Sequence, residues 1–181
     1  MKNLLTSTFF FLVIYANGQN GSQLLGYVIQ TNSLKDYHNV VVAKLDSSVV
    51  EFALRNLKTN KKTFKSIDTS SSKISLTSKE KKLLISSLEK QFQEHWTRED
   101  FGNIKVIKQT QVKEYVKESK QNGFIYISEP AFIRENTIAL VFFANFHGEV
   151  ETGGGISNLS FYKLENGSWK KWITLEAGIY N

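Results

Sequence analysis

Residues 137–147, TIALVFFANFH, are apolar at every position from Ile138 to Ala144. In an extended chain, alternate side chains point to opposite faces. Ile138, Leu140, Phe142, Ala144 and Phe146 therefore share one face, and Ala139, Val141 and Phe143 share the other, which turns polar at Asn145 and His147. The pattern reads as a strand buried on both sides, in a sheet that curves over packed helices and leaves room for a small cavity.

The segments on either side repeat strand chemistry. Phe124–Ser128, Ile156–Leu164 and Ser168–Glu176 are rich in β-branched and aromatic residues, and turn residues separate them. Asn166-Gly167 is a two-residue hairpin signal; if these two form the loop, Leu164 faces Trp169 and Phe161 faces Trp172. Pro130 cannot donate to a ladder, so Glu129-Pro130 is expected to end or kink the first of these strands.

The preceding sequence reads mainly as helix. Leu24, Leu25, Val28 and Ile29 follow Ser22 at helical spacing, and Val50, Ala53, Leu54 and Leu57 follow the Ser48/Glu51 pair. Thr77 and Glu80 form a second capping box, ahead of a Leu84, Leu88, Phe92 stripe that predicts a helix over 78–95. Val112, Tyr115, Val116 and Ser119 suggest a last helix closed by Asn122-Gly123. Val40–Leu45 reads as a strand, and Ile104, Val106 and Ile107 as a short extended piece. The expected fold class is α+β, with N-terminal helices packed on a C-terminal curved four-stranded antiparallel β-meander.

Composition bounds the setting. Lys2 precedes an apolar run from Phe9 to Tyr15, and Ala16-Asn17-Gly18 offers small residues to a signal peptidase. Residues 1–18 are thus expected to be a signal peptide cleaved after Gly18, with 19–181 forming a single domain in the periplasm or outside the cell. No transmembrane anchor is expected after cleavage, since the apolar run falls short of the ~20 residues a spanning helix needs. The chain has no cysteine, which excludes disulfides and thiolate chemistry.

Between residues 58 and 82, eight lysines face only Asp68 and Glu80, in a chain whose formal net charge is +6. Residues 58–75 are also serine-rich and are expected to be a surface loop. Lys58, Lys61, Lys62 and Lys65 are its candidate anion-binding residues, because clustered cations release counterions together. Specific nucleic-acid recognition is not expected: lysines far outnumber Arg55, Arg98 and Arg134, and geometric phosphate recognition prefers the arginine fork.

The stretch FHGEVETGGGIS, residues 146–157, is the other candidate site. If the strand continues past Phe146, His147, Glu149 and Glu151 project from one face, a set able to ligate a divalent ion or to act as acid and base. The commoner outcome for such a stretch is a hairpin loop whose glycines permit positive φ. Gly153-Gly154-Gly155 leads into a strand and has no phosphate-loop spacing, and no nucleophile elbow is present, so neither cofactor nor metal is expected.

Ser128-Glu129-Pro130-Ala131-Phe132, the Ala139–Phe143 run, Gly153-Gly154-Gly155 and Asn166-Gly167-Ser168-Trp169-Lys170 together resemble a pattern of small, uncharacterised exported proteins of Gram-negative bacteria. The resemblance covers about residues 124–173 and implies a compartment and a shape without an activity. Some of those proteins carry cysteines beside the glycine loop, and this chain has none. The order of elements also resembles the cone-shaped NTF2-like fold. The leading expectation is a non-catalytic binding protein with a protein or small-molecule partner; the alternatives are a cavity-bearing enzyme or ligand-binding protein, and anion binding through the lysines.

Overall fold

A computed structural model describes residues 21–33, 37–45, 47–69, 71–92, 96–101, 103–148 and 153–180. Helix α1 (residues 21–32) precedes strand β1 (His38–Val42), helix α2 (Ser47–Lys58), strands β2 (Thr63–Lys65) and β3 (Lys73–Ser75), and helix α3 (Ser78–Lys90). Strand β4 (Val106–Ile107), helix α4 (Val112–Glu118) and strands β5 (Asn122–Ile127), β6 (Ala131–Ile133), β7 (Ile138–His147), β8 (Gly154–Glu165) and β9 (Ser168–Tyr180) follow. The expected signal peptide, together with His95, Glu149 and Glu151, lies outside the described residues. Among the described residues no helix is long and apolar enough to cross a membrane.

The chain is α+β, with a mixed and mostly antiparallel sheet. The four expected C-terminal strands are neighbours in the order β5-β7-β8-β9, but the sheet has seven strands rather than four. Strand β1 adds to β5 in parallel, β4 adds to β1 in parallel, and β6 pairs with β7 beside β5. Val40 and Val42 belong to the core on one side of the sheet and Val41 to the core on the other, so β1 gains most by taking an interior position. A parallel neighbour needs a long crossover, and α2, the β2–β3 hairpin, α3, β4 and α4 supply it.

The two faces of β7 meet different partners. Leu140, Phe142 and Ala144 pack with α2, α3, α4 and the β2–β3 hairpin. Ala139, Val141 and Phe143 pack with Leu24, Leu25, Val28 and Ile29 of α1. Residues Ile138 to Asn145 are all buried, and each large apolar side chain among them contributes about 2–3 kcal/mol of transfer free energy. Helices therefore cover both faces of the sheet.

Several local expectations shift by a few residues. Thr77 and Glu80 form the full reciprocal capping box, but α3 stops at Lys90, where Gln91 turns its side chain to the Glu129 backbone: Glu129 N donates to Oε1 at 2.7 Å. Helix α2 starts at Ser47, so Ser48 and Glu51 stand inside it, and Glu51 pairs with Arg55 at 3.6 Å instead. Asn122-Gly123 opens β5 rather than capping α4, although Asn122 Nδ2 still donates to the Tyr115 carbonyl at 2.6 Å.

The strand break at Pro130 separates β5 from β6 as expected. Ser128 bridges it: its N–H donates to Phe142 O at 3.0 Å, and its hydroxyl accepts from Phe142 N at 2.8 Å, standing in for a missing carbonyl. Asn166 and Gly167 both take positive φ, as a primed hairpin turn requires, and Leu164 pairs with Trp169. Phe161, however, faces Ile173 rather than Trp172, because a register shift between Phe161 and Tyr162 takes up one residue of β9.

Candidate functional site

The lysine- and serine-rich segment, expected as a loop, contains a two-stranded hairpin. Thr63-Phe64-Lys65 and Lys73-Ile74-Ser75 each set one apolar residue between two polar ones, and Phe64 pairs with Ile74, both buried in the core. The outer pairs are Thr63 with Ser75, whose hydroxyls are 2.9 Å apart, and Lys65 with Lys73. The hairpin is tied to the edge of the large sheet. Ile67 N donates to Thr174 O at 2.9 Å, Thr174 N donates to Ser66 Oγ at 3.1 Å, and the Thr174 hydroxyl donates to Asp68.

The four candidate lysines do not act alike. Lys58 pairs with Glu89 of α3 at 2.6 Å, so its charge is already compensated. Lys61, Lys62 and Lys65 make no ion pair with any described residue. Lys81 of α3 has a structural role: its ammonium donates to the carbonyls of Thr59 and Lys61 and lies 5.9 Å from the Phe64 ring centre. Two lysines missing from the sequence-based candidate set belong here as well, Lys73 opposite Lys65, and Lys82 on α3.

Two grooves flank the hairpin. The one toward α3, about 590 Å³, has Leu76 and Ile85 as apolar lining with Lys62, Lys81 and Lys82 around them. The one toward α2 and β9, about 450 Å³, has Phe64, Ile67 and Leu175 between Lys61 and Lys65. Ile67 is 57% exposed, so the second groove opens beside an uncovered apolar side chain. At the sheet edge, burial lowers the Lys171 pKa and Asp68, 3.9 Å away, partly offsets it.

Of the second sequence candidate, only His147 lies among the described residues. Strand β7 ends at His147, and Gly148 takes φ +76°. His147 stacks on Tyr37, with ring centres 4.8 Å apart at 26°. Gly154 and Gly155 lie in β8 without positive φ, unlike the loop expected of them. Gly155 is needed for close approach, since a Cβ there would stand 2.5 Å from Phe146 Cδ1 and 2.7 Å from the Asn145 carbonyl oxygen. Among the described residues no group of three or more His, Asp or Glu is placed to hold a metal ion.

No protein-family model, curated protein or solved structure matches the chain.

Proposed function

We propose that this chain is an exported, non-catalytic binding protein that docks an acidic macromolecular partner across the β2–β3 hairpin and its flanking grooves. One observation carries the reading: Lys65 and Lys73 stand directly opposite each other, with Lys61, Lys62 and Lys82 around them making no ion pair among the described residues. Like charges paired across strands oppose hairpin formation, and a bound polyanion relieves that repulsion while releasing counterions. The apolar lining gives the partner contact area beyond charge. Lysine ammonium groups are point charges, which suits an acidic surface better than a geometrically defined phosphate.

Export, and kinship with the exported proteins that share the S-x-P-x-F and N-G-x-W-K pattern, are part of the same proposal and rest on the N-terminal and C-terminal sequence. Cell fractionation with N-terminal sequencing tests the first: Gln19 as the mature N-terminus supports it, and cytosolic protein retaining Met1 removes it. For the binding surface, retention on immobilised heparin at rising salt is the measurement. The triple change Lys61→Gln, Lys62→Gln and Lys65→Gln should abolish retention without lowering the thermal midpoint; unchanged retention would exclude this surface.

A further inference from the structure

The sheet face beneath α1 is apolar along Ala139, Val141 and Phe143 and then changes character. Beyond them, on the same face, β7 carries Asn145 and His147, and β8 carries Asn158 and Ser160, with Phe143 opposite Asn158 and Val141 opposite Ser160. Asn145 and Ser160 are 0% exposed and Asn158 is 7% exposed. Amides and hydroxyls occupy positions where the neighbouring pattern would take valine or leucine. Buried polar groups left without partners cost about 1–3 kcal/mol each, so such a cluster persists where something compensates it.

Compensation within the chain is incomplete. Asn145 Nδ2 donates to Asn39 Oδ1 at 3.2 Å, but Asn145 Oδ1 accepts from no described residue. Turning the amide over would set two carbonyl oxygens against each other. Asn158 Oδ1 accepts from Ser160 Oγ at 3.1 Å, and Asn158 Nδ2 reaches Asn32 Oδ1, at the end of α1, only at 3.5 Å. The Ser33 hydroxyl, just past α1, is also buried without a partner among the described residues, and the Tyr162 hydroxyl, on the same face of β8, has only the Asn32 side chain beside it. Three elements thus direct open hydrogen-bonding capacity to one end of α1.

Gly123 has no side chain where a Cβ would come within 2.7 Å of Asn39 Oδ1 and 3.4 Å of Tyr37 Cβ, and this lets Asn39 and Tyr37 lie across β5. Tyr37 then stacks on His147, and both rings are only half-buried, forming an aromatic rim. The cluster's own donors and acceptors, from Asn, Ser and Tyr side chains, are uncharged. An anion or cation enclosed there would have no counter-charge among them, the Asp68 carboxylate being reached only through the Ser160 and Thr174 hydroxyls, whereas a hydroxyl both donates and accepts.

We propose that this amide and hydroxyl cluster binds a small neutral polyhydroxylated ligand of the monosaccharide class, on the face of the sheet opposite the lysine hairpin. Asn145 Oδ1, Asn158, Ser33 and the Tyr162 hydroxyl supply the hydrogen bonds, and Tyr37 and His147 supply the flat surface at the rim. Buried water filling the same positions is the competing outcome.

The test is a titration of the isotopically labelled full-length protein with glucose and N-acetylglucosamine, followed through the asparagine side-chain amide resonances. Glucuronate and glucosamine serve as charged controls. The expected result is saturable shifts of the Asn145 and Asn158 amides with a neutral sugar and none with the charged ones. Ser33→Ala should weaken binding about tenfold. Asn145→Leu should abolish the Asn158 shifts while leaving the thermal midpoint unchanged or higher; should that variant fail to fold, Ser33→Ala alone decides. The proposal is overturned if neither sugar produces saturable shifts, which leaves water as the occupant, if charged sugars bind equally well, if the Asn158 shifts survive Asn145→Leu, or, where that variant does not fold, if Ser33→Ala leaves the affinity unchanged.

Discussion

Arg134 reaches from the β6–β7 turn to Glu80 at the start of α3, Nε donating to Oε1 at 2.9 Å, while its Nη2 donates to the Ser75 carbonyl at 2.6 Å. One side chain thus fastens the basic hairpin and the α3 N-terminus to the central sheet. It does so from strained backbone: Arg134, Glu135 and Asn136 take φ of 52°, 56° and 62°. Left-handed conformations cost L-residues roughly 1–2 kcal/mol each, so the surrounding contacts must hold this turn.

This contact makes stability depend on acid pH. Burial alone raises the Glu80 carboxyl, but hydrogen bonds from Arg134 and Thr77 outweigh it and hold the pKa below the ordinary glutamate value. A depressed carboxyl contributes fully above its unfolded value and loses that contribution as pH falls through the folded one. Arg134→Ala should lower stability by about 1 kcal/mol at neutral pH, after solvent screening, and flatten the decline between about pH 5 and pH 3. Urea melts at several pH values measure both effects, and an unchanged acid slope in the variant would contradict the assignment.

Replacing one member of the Lys65–Lys73 pair separates binding from folding. Lys73→Glu converts facing like charges into an opposite pair and should stabilise the protein by about 0.5 kcal/mol. The same change should shorten retention on heparin. A variant that gained stability and kept full retention would place the anion surface elsewhere.

Ser128 completes a ladder that the strand break leaves open. Ser128→Ala removes the acceptor of the Phe142 N–H at a position 0% exposed, and should cost about 1–3 kcal/mol in a denaturant melt. Hydrogen exchange at Phe142 should quicken in the variant; unaltered protection would mean another acceptor takes over.

Gly155 is constrained by contact rather than by turn geometry. Gly155→Ala brings a methyl group against Phe146 and the Asn145 carbonyl, and backbone at that site cannot swing aside. A loss of about 1–3 kcal/mol in thermal or chemical melts is expected. If the glycine were instead a turn residue of a mobile loop, alanine would be tolerated.

Features set by neighbouring residues could be read before any fold was known. The Thr77/Glu80 capping box, the Asn166-Gly167 turn and the two buried faces of residues 138–144 all depend on spacings of a few residues. The hairpin β2–β3 is not legible in the sequence, because strands of three residues hold too little alternation to outweigh eight lysines and a run of serines. The amide cluster is illegible for a different reason. Asn39, Asn145 and Asn158 lie far apart along the chain, and each alone reads as a surface residue.

Pattern and composition settled the helical and extended segments, the central buried strand and the places where the chain turns, because backbone sterics and the helical and strand periods act over short distances. Which strands became neighbours did not follow from them. The parallel addition of β1 to β5, the shift that sets Phe161 against Ile173, and the pairing of Asn39 with Asn145 and of Asn32 with Asn158 arose from burial shared among distant segments. Partner choice in a sheet depends on the summed fit of two faces, and no single stretch of chain contains that sum.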